Sequence, residues 1–461
     1  MRSWMLLGGS LVLLLVLLVA RNHWRHEVTY LMHTQDAVSI REAGVARRHR
    51  HLDTEALSKL VAARHPIARH TCGPWVERYA KLHAGILSGA ELQRYAIIRY
   101  RREWENGLAD RLATSLSVLL FALVSDRAFL FDFANSPSDD VLWSGLSSHF
   151  IDWRYRFSTE EGIEGIEEGN SSLVVNWNTG ADGFSDPQEM IDLFTHGDLA
   201  AVGADVHSVI WLAERSVIYN SFDNPLLKSK LEELGLQRET AFACLFDFLY
   251  RPTEATVRVV EPLLPTLLDP EVLKIGVQIR VGDWQLVSGH RYFFHPDAYP
   301  NFFNHFFECA RELERDAAGD SAVAVWYLIT DTPALRRHLQ AKFPERVLAD
   351  VTGVIEHTVK SEKRSNQGFL QACAELWVFS LTDYQVVTLK SGFGKVGAAV
   401  SSPGHPHVFS ISYPMQLFNA FGLGGPAFDN RKEVTLWQSA RSCRRDGADS
   451  YEMICSSFTG C

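Results

Sequence analysis

The stretch Lys274-Ile275-Gly276-Val277-Gln278-Ile279-Arg280-Val281-Gly282-Asp283 decides the fold. Four of its first six residues are apolar or glycine, a pattern typical of a strand buried on both faces. The stretch then delivers Arg280 and Asp283 to the carboxyl end of the strand, which is where open α/β sheets bind ligands. An arginine there offers a fork of N–H donors suited to a phosphate or a carboxylate. The alternative is an Arg280–Asp283 pair that only closes a turn, and this stretch alone does not separate the two.

Length and composition indicate an ordinary globular protein. The chain has 461 residues, 46% of them hydrophobic and 22% charged, which is enough for two domains with full cores. Its formal net charge of −10 argues against nucleic acid as a partner. An anionic substrate would therefore need local positive groups, because the chain offers no broad basic field.

The amino-terminal segment predicts a membrane anchor. Residues 4–20 are apolar or small and carry no charge, which is the short end of the length range for a membrane span. A cleaved signal peptide is the alternative, but Leu18-Val19-Ala20 lacks a small residue at the −3 position of a cleavage site. We expect an anchor over residues 1–20 and a stem over residues 21–70. Basic residues flank the span on both sides, so the positive-inside rule does not decide its orientation, and the bulk of the chain after the anchor favours a lumenal body.

The cysteines favour an oxidising compartment. None of the seven forms a CxxC pair or a zinc-type cluster with histidine. Cys443, Cys455 and Cys461 crowd the end of the chain, which predicts a tail held by disulfides. The odd count requires at least one free thiol. A single sequon at Asn170-Ser171-Ser172 adds a little weight to a secretory location.

The first half of the chain contains a strand–loop–helix–strand unit. Strands are predicted over 95–100 and 128–133, and leucines between 112 and 124 recur at the spacing of a helix with one buried face. Gly107 would let the backbone approach a ligand closely at the start of this helix. The alternative is that Asp110 caps the helix and Arg111 points into solvent. Further helices are predicted over 225–234 and 241–250.

The second half alternates between strands and helices. Strands are predicted at 274–281, 322–330, 347–349, 384–388 and 407–412, with helices at 296–314, 333–342, 367–381 and after 391. This alternation predicts a parallel sheet with helices on both faces. We therefore expect a two-domain α/β protein with a cleft between domains at 71–265 and 266–425, followed by a cysteine-containing tail at 426–461.

Four segments, in this order, resemble the GT-B fucosyltransferases. They are Gly107–Arg111 before an apolar helix, Ile275–Arg280, Ile329–Asp331, and Glu375-Leu376-Trp377 with Ser391–Gly394. The likeness covers roughly residues 90–415 and is greatest to the plant-type xyloglucan fucosyltransferase family, with a weaker likeness to α1,6- and protein O-fucosyltransferases. It implies two Rossmann-like domains, GDP-fucose as the donor, inversion at the anomeric carbon and no metal or other cofactor. It also implies a Golgi type II membrane protein that acts on a glycan hydroxyl, of the cell wall or of a glycoprotein.

The residues fit this chemistry. Expulsion of a diphosphate places extra charge on the β-phosphate, and Arg280 is the cation chosen to compensate it. Ser391, Gly392 and Phe393, at a helix start, are interpreted as a phosphate cradle, with a simple helix cap as the alternative.

The remaining donor-binding candidates come from both halves. Asp331 would accept a hydrogen bond from guanine or ribose, or else cap the next helix, and Glu375 matches the family's acidic residue unless it faces solvent. Gln278 stands where α1,6-type members have histidine, as it does in plant-type members. The candidates on the opposite domain are Gly107, Asp110 and Arg111.

The general base is not fixed by the sequence. Asp283, His290 and Asp110 are candidates, and Asp283 is placed with Arg280 among the catalytic residues. The sequence also departs from the family: plant-type members tend to have a serine–threonine pair where Ser391-Gly392 stands here.

The sequence lacks the motifs of two other classes of enzyme. The chain has no Asp-x-Asp motif of metal-dependent GT-A enzymes and no P-loop motif. Another nucleotide sugar on the same scaffold, or a non-catalytic glycan-binding protein, stays open as an alternative.

Overall fold

Two parallel β-sheets organise the described part of the chain. The computed structural model describes residues 72–100, 107–132, 138–154, 172–177, 187–213, 216–280, 304–318, 323–356, 365–388, 391–401 and 408–411. The predicted anchor, the stem, Asp283, His290 and the cysteine-containing tail lie outside these residues. All described residues lie within one compact unit, residues 51–461. Among them, no helix combines the length and apolarity that crossing a bilayer requires.

The first sheet is formed by four parallel strands in the described part of the chain, in the order β2-β1-β5-β4. The elements of this half are α1 (Trp75–Ser88), β1 (Tyr95–Arg99), α2 (Leu108–Val124), β2 (Ala128–Asp132), α3 (Ser138–Gly145), β3 (Leu146–Ser147), β4 (Ser172–Trp177), α4 (Pro187–His196) and β5 (Ser208–Ala213). Nearly every residue of α2 is buried, including Arg111 and Ser117, so the prediction of a helix with a single buried face is wrong.

A helical segment joins the two sheets. It consists of a 3₁₀ turn (Tyr219–Asp223), α5 (Lys228–Leu234), α6 (Arg238–Leu249), β6 (Arg251–Pro252), α7 (Glu254–Val260), a second 3₁₀ turn (Glu261–Leu263) and α8 (Leu264–Leu267). The short strand β6 pairs antiparallel with β3. A disulfide between Cys72 and Cys244 ties the start of the folded region to α6, and Cys373 is a buried free thiol.

The second sheet has five parallel strands among the described residues, in the order β11-β10-β7-β8-β9. Its elements are β7 (Val272–Ile279), α9 (Asn304–Ala318), β8 (Val323–Thr330), α10 (Pro333–Lys342), β9 (Val347–Leu348), α11 (Asn366–Phe379), β10 (Tyr384–Thr388), α12 (Gly392–Ser401) and β11 (Val408–Ile411). Helices α9 and α10 pack on one face of this sheet, and α7, α8, α11 and α12 pack on the other.

The two halves share a hydrophobic core. The large cluster around β1, β2, β5 and α2 also contains residues of α11 and α12, among them Phe369, Cys373, Leu376, Val396 and Val400. The helices that cover one face of the second sheet therefore also pack against the first half. This shared core fixes the start of α12 relative to α2.

The α/β prediction is confirmed, and most of the second half follows the predicted alternation. Strand β10 and helix α10 have the predicted bounds, whereas α2 begins at Leu108, four residues before the predicted start. Helix α5 begins at Lys228, after a turn that contains Pro225, and ends at Leu234. Gly235 follows in the left-handed conformation (φ 71°), as a glycine stop predicts. The sequence did not reveal α1, β4, α4 or β5.

Glycine at position 276 is required by packing. In Gly276→Ala, the new Cβ would lie 2.6 Å from Cε2 of Phe379 and 2.7 Å from Oγ1 of Thr382, both buried. We expect this overpacking to lower the free energy of unfolding by about 1–3 kcal/mol. In the control Gly85→Ala, the new Cβ would meet the exposed side chain of Glu91 at 2.7 Å, which can move away.

Because alanine also favours a helix interior by about 1 kcal/mol, Gly85→Ala should not destabilise the protein. Chemical denaturation measures both variants. Equal destabilisation of the two would show that clearance at β7 is not what requires the glycine.

Candidate functional site

Arg280 lies directly after β7, at the centre of the second sheet. Its backbone N–H donates to Oγ1 of Thr388 at 2.9 Å, and its Nε lies 3.4 Å from Oδ2 of Asp331. The three residues come from the ends of neighbouring parallel strands, β10, β7 and β8. The side chain of Arg280 is 34% exposed, whereas that of Asp331 is only 8% exposed. A guanidinium is therefore held at the carboxyl edge of the sheet with part of its surface open to a ligand.

Gln278 and Thr388 lock the neighbouring strand ends together. The hydroxyl of Thr388 donates to the backbone oxygen of Gln278 at 3.1 Å, and the Thr388 N–H donates to Oε1 of Gln278 at 3.3 Å. A Cβ on Gly394 would lie 2.6 Å from the same Oε1. The buried amide of Gln278 thus supports the strand ends and the start of α12. Its predicted contact with the donor stays a prediction.

The start of α12 faces the same edge. Ser391 is buried directly before the helix, and its N–H donates to the oxygen of Thr388 at 2.9 Å. Gly392 and Phe393 form the first turn. The N–H groups of a first turn have no partner within the helix, and the helix dipole favours an anion there. The sequence-predicted cradle Ser391–Phe393 therefore lies at a helix start that follows β10, the strand beside Arg280.

The start of α2 meets the start of α12. A Cβ on Gly392 would lie 3.2 Å from Oδ1 of Asp110. The residue that precedes α2 is Gly107, with φ −65° and ψ 162°. Gly107, not Asp110, is therefore at the N-cap position, and Arg111 is buried, so the alternative of an Asp110 cap with Arg111 in solvent is wrong. Two helix starts, one from each half, lie close together.

Arg111 contacts Tyr100, the residue that follows β1. Its guanidinium carbon lies 5.8 Å from the centre of the Tyr100 ring, and the Tyr100 hydroxyl donates to the backbone oxygen of Arg111 at 3.2 Å. Burial raises the pKa of Tyr100 well above its ordinary value, so the hydroxyl remains a donor. Sequence reasoning did not identify Tyr100, although its place at the end of a predicted strand is a usable signal.

Asp331 binds Arg280 and does not cap α10. The N-cap of that helix is Thr332, so the helix-cap alternative for Asp331 is wrong. A carboxylate 3.4 Å from Nε orients the guanidinium at this edge of the sheet.

Glu375 is buried in an ion pair with Arg336. Its carboxylate accepts from Nη1 and Nη2 of Arg336 at 2.6 and 3.1 Å, and from the amide of Gln371 at 2.9 Å. The solvent-facing alternative is therefore wrong. Arg336 also donates to the backbone oxygens of Thr330 at 2.9 Å and Asp350 at 2.7 Å. Glu375 thus fixes the end of β8 through Arg336.

Arg336 stays charged in this network. Burial by itself would lower the pKa of Arg336, but the charge and hydrogen bonds of Glu375 outweigh it and raise that pKa. Arg336 was missed by sequence reasoning, because a single arginine within a helix carries no distinguishing pattern.

The structure brings together most of the predicted residues. Arg280 and Asp331 share one sheet edge, and Asp110 and Gly392 join the two halves there. Thr388, which sequence reasoning did not identify as a site residue, lies at the same edge. The catalytic candidate Asp283 lies outside the described residues, as does His290. Within the described part of the chain, no group of three or more His, Cys, Asp and Glu side chains has an arrangement suited to a metal ion.

Comparisons with known proteins give plant fucosyltransferases. The chain is 25% identical to probable fucosyltransferase 4 of Arabidopsis thaliana over 324 residues, 63% of this chain and 58% of that protein. It is 23% identical to galactoside 2-alpha-L-fucosyltransferase of Pisum sativum over 368 residues, 71% of this chain and 61% of that protein. The matched region thus spans about three fifths of these relatives' length. No protein-family profile matches the chain.

A solved structure shares the fold. A mutant of Arabidopsis thaliana FUT1 in complex with GDP superposes with a TM-score of 0.50 at 19% identity, covering 73% of this chain and 78% of that one. The resemblance to GT-B fucosyltransferases of the plant type is confirmed by these relatives. The GT-B prediction is confirmed for the described residues, while the transmembrane helix before it stays a prediction.

Removing the charge of Glu375 should destabilise the fold. Glu375→Gln leaves Arg336 buried without a carboxylate, and loss of one partner of a buried pair costs about 3–5 kcal/mol. The matched control is Glu254→Gln, because Glu254 pairs with Arg258 at the surface, where both side chains are 73% exposed. There we expect a change below about 1 kcal/mol. Urea denaturation measures both variants, and similar small losses would show that the Arg336–Glu375 pair is not a structural support.

Proposed function

We propose that this chain, which shares its fold with a plant fucosyltransferase and resembles others in sequence, is an inverting glycosyltransferase that transfers fucose from GDP-fucose to a hydroxyl of a glycan. The observation that carries the proposal is the position of Arg280, directly after the central strand β7 and partly exposed, beside Asp331 and near the start of α12. A cation beside a helix start at a sheet's carboxyl edge is suited to the diphosphate of a nucleotide.

The electrostatics suit departure of a nucleoside diphosphate. As the bond to the sugar breaks, negative charge grows on the β-phosphate. Arg280 would donate to this phosphate, and the N–H groups at Gly392 and Phe393 would add donors that are already oriented before the reaction. Asp331 and Thr388 hold Arg280 from two neighbouring strands, so little reorganisation is needed when the charge develops.

The opposite half would close the donor site. Gly107, Asp110 and Arg111 lie at the start of α2, and Asp110 approaches Gly392. Asp110 carries a carboxylate within the described site and remains a candidate for accepting the proton of the acceptor hydroxyl. Asp283 and His290 are the other candidates for this role.

The cellular setting is part of the proposal. The apolar segment 4–20 and the secretory-type cysteine pattern support a single-pass type II protein of the Golgi membrane with a lumenal catalytic part. The disulfide Cys72–Cys244 is consistent with an oxidising lumen. The acceptor would be a glycan of the cell wall or of a glycoprotein.

The proposal predicts that Arg280→Ala weakens GDP binding by about 1.5–3 kcal/mol, the scale of hydrogen bonds to a charged group, or roughly 10- to 150-fold in Kd. The control is Arg258→Ala, since Arg258 is an exposed arginine on α7. Calorimetric titration with GDP measures both variants. Unchanged affinity in Arg280→Ala, with a stability like that of the wild type, would contradict the assigned role.

A donor screen tests the sugar nucleotide itself. We expect release of GDP from GDP-fucose in the presence of a suitable glycan, and much slower release from other GDP-sugars and from UDP-sugars. Faster turnover of a different sugar nucleotide would support glycosyltransferase activity but would show that GDP-fucose is not the donor. Tight GDP binding without turnover on any glycan would favour a non-catalytic glycan-binding protein.

A further inference from the structure

A second basic site lies on the α9–α10 face of the second sheet. Arg311 on α9, Lys342 at the end of α10 and Arg346 just before β9 surround the rings of Trp326 and Phe343. We name these five residues the basic–aromatic cluster. The guanidinium carbon of Arg311 lies 5.9 Å from the centre of the Trp326 ring and 5.8 Å from that of Phe343. Lys342 lies 5.4 Å from the Phe343 ring, and Arg346 lies 5.5 Å from the Trp326 ring.

The cluster is separate from the donor site. Trp326 pairs with Ile275 in the first half of β7, whereas Arg280 follows the last residue of that strand. Asp331 lies five positions after Trp326 along the extended strand, a distance of about 16 Å at roughly 3.3 Å per residue. A ligand at the cluster would therefore not occupy the nucleotide edge.

The aromatic rings form a rigid base for the cations. Trp326 is fully buried, and its ring centre lies 5.8 Å from that of Phe343 and 5.7 Å from that of Phe307. Within the described residues, the indole nitrogen of Trp326 has no hydrogen-bond partner. Trp326 thus contributes its ring surface to the cluster.

Only one of the three cations is closely neutralised. Arg346 donates to both carboxylate oxygens of Glu314, at 2.7 and 2.5 Å. In the part of the chain that the structure describes, Arg311 and Lys342 make no hydrogen bond and no ion pair, and their contacts are with the rings. The negative charges of Glu308 and Glu314 act on Arg311 electrostatically and raise its pKa.

The cations also disfavour one another. Burial, and after it the charge of Arg346, lower the pKa of Arg311, and together they outweigh the opposing charges of Glu308 and Glu314. Burial and the charge of Arg311 act in the same direction on the pKa of Lys342. The cation–π contacts stabilise each cation against a ring, but they do not offset the repulsion between neighbouring positive charges. An anion bound by both Arg311 and Lys342 would offset this repulsion.

We propose that Arg311 and Lys342 form a binding site for an oxyanion group, such as a sulfate, phosphate or carboxylate, at a position remote from the nucleotide. The guanidinium of Arg311 supplies paired N–H donors and Lys342 supplies a mobile ammonium, the combination that such groups bind. If the chain acts on glycans as proposed above, a sulfated or uronate-bearing sugar is one source of this group. A free inorganic anion is the other.

The test is equilibrium dialysis with radiolabelled inorganic sulfate at constant ionic strength, with GDP present to occupy the nucleotide site. The wild type should bind one sulfate, and Lys342→Gln should weaken this binding at least 10-fold, because Lys342 is exposed and its removal leaves the core intact. Arg311→Gln should act likewise. The matched control Arg337→Gln, an exposed arginine on α10, should bind sulfate like the wild type.

Two further measurements distinguish a sulfated glycan from a free anion as the ligand and make the test independent of the proposed function. A sulfated oligosaccharide that binds at least 10-fold tighter than sulfate, and only with Lys342 and Arg311 present, would support the glycan source, whereas equal affinity would support the free anion. The dialysis is also carried out without GDP on the Arg280→Ala variant. Its result does not depend on whether the nucleotide binds at Arg280. Absence of sulfate binding, or equal binding by wild type and the Lys342 and Arg311 variants, would overturn the proposal.

Discussion

The parallel register of three strands is the constraint on which this structure depends. Strand β7 pairs with β8 on one side and with β10 on the other, so the three strands end side by side. Because the strands run in the same direction, Arg280, Asp331 and Thr388 reach the same edge within hydrogen-bond or ion-pair distance. A shift in the pairing of β7 by one residue would turn Arg280 toward the other face of the sheet. The proposed nucleotide site follows from this register.

Packing between the halves supplies the second part of the site. Helices α11 and α12 cover the second sheet and also enter the core of the first half. The start of α12 is thereby held against the start of α2, where Asp110 approaches Gly392. Deeper in the second half, the Arg336–Glu375 pair holds the end of β8. The residues at the edge are therefore supported by a layer of buried side chains beneath them.

Much of the second sheet and of its edge could be predicted from the sequence, and there are physical reasons why the rest of the fold could not. The apolar runs that become β7, β8 and β10 carry a strong local signal, and the polar residues that follow them, such as Arg280 and Asp331, could be placed at a sheet edge. Strand β4 alternates weakly, since Leu173 and Val174 are both partly exposed, and it was missed.

The partners of the site residues were harder to foresee. Arg336 and Glu375 are 39 residues apart in sequence, and only the tertiary fold brings them together. Likewise, the position of Asp110 beside Gly392 depends on the shared core. The basic–aromatic cluster assembles from α9, β8, the end of α10 and the segment that joins α10 to β9, and each contributes one or two residues that are unremarkable in sequence.

The most direct measurement is a crystal structure of the protein with GDP. The account predicts that the β-phosphate lies within hydrogen-bond distance of the Arg280 guanidinium and of the backbone N–H groups at Gly392 and Phe393, with the start of α2 on the opposite side. GDP bound away from the carboxyl ends of β7 and β10, with Arg280 making no contact to it, would contradict the account.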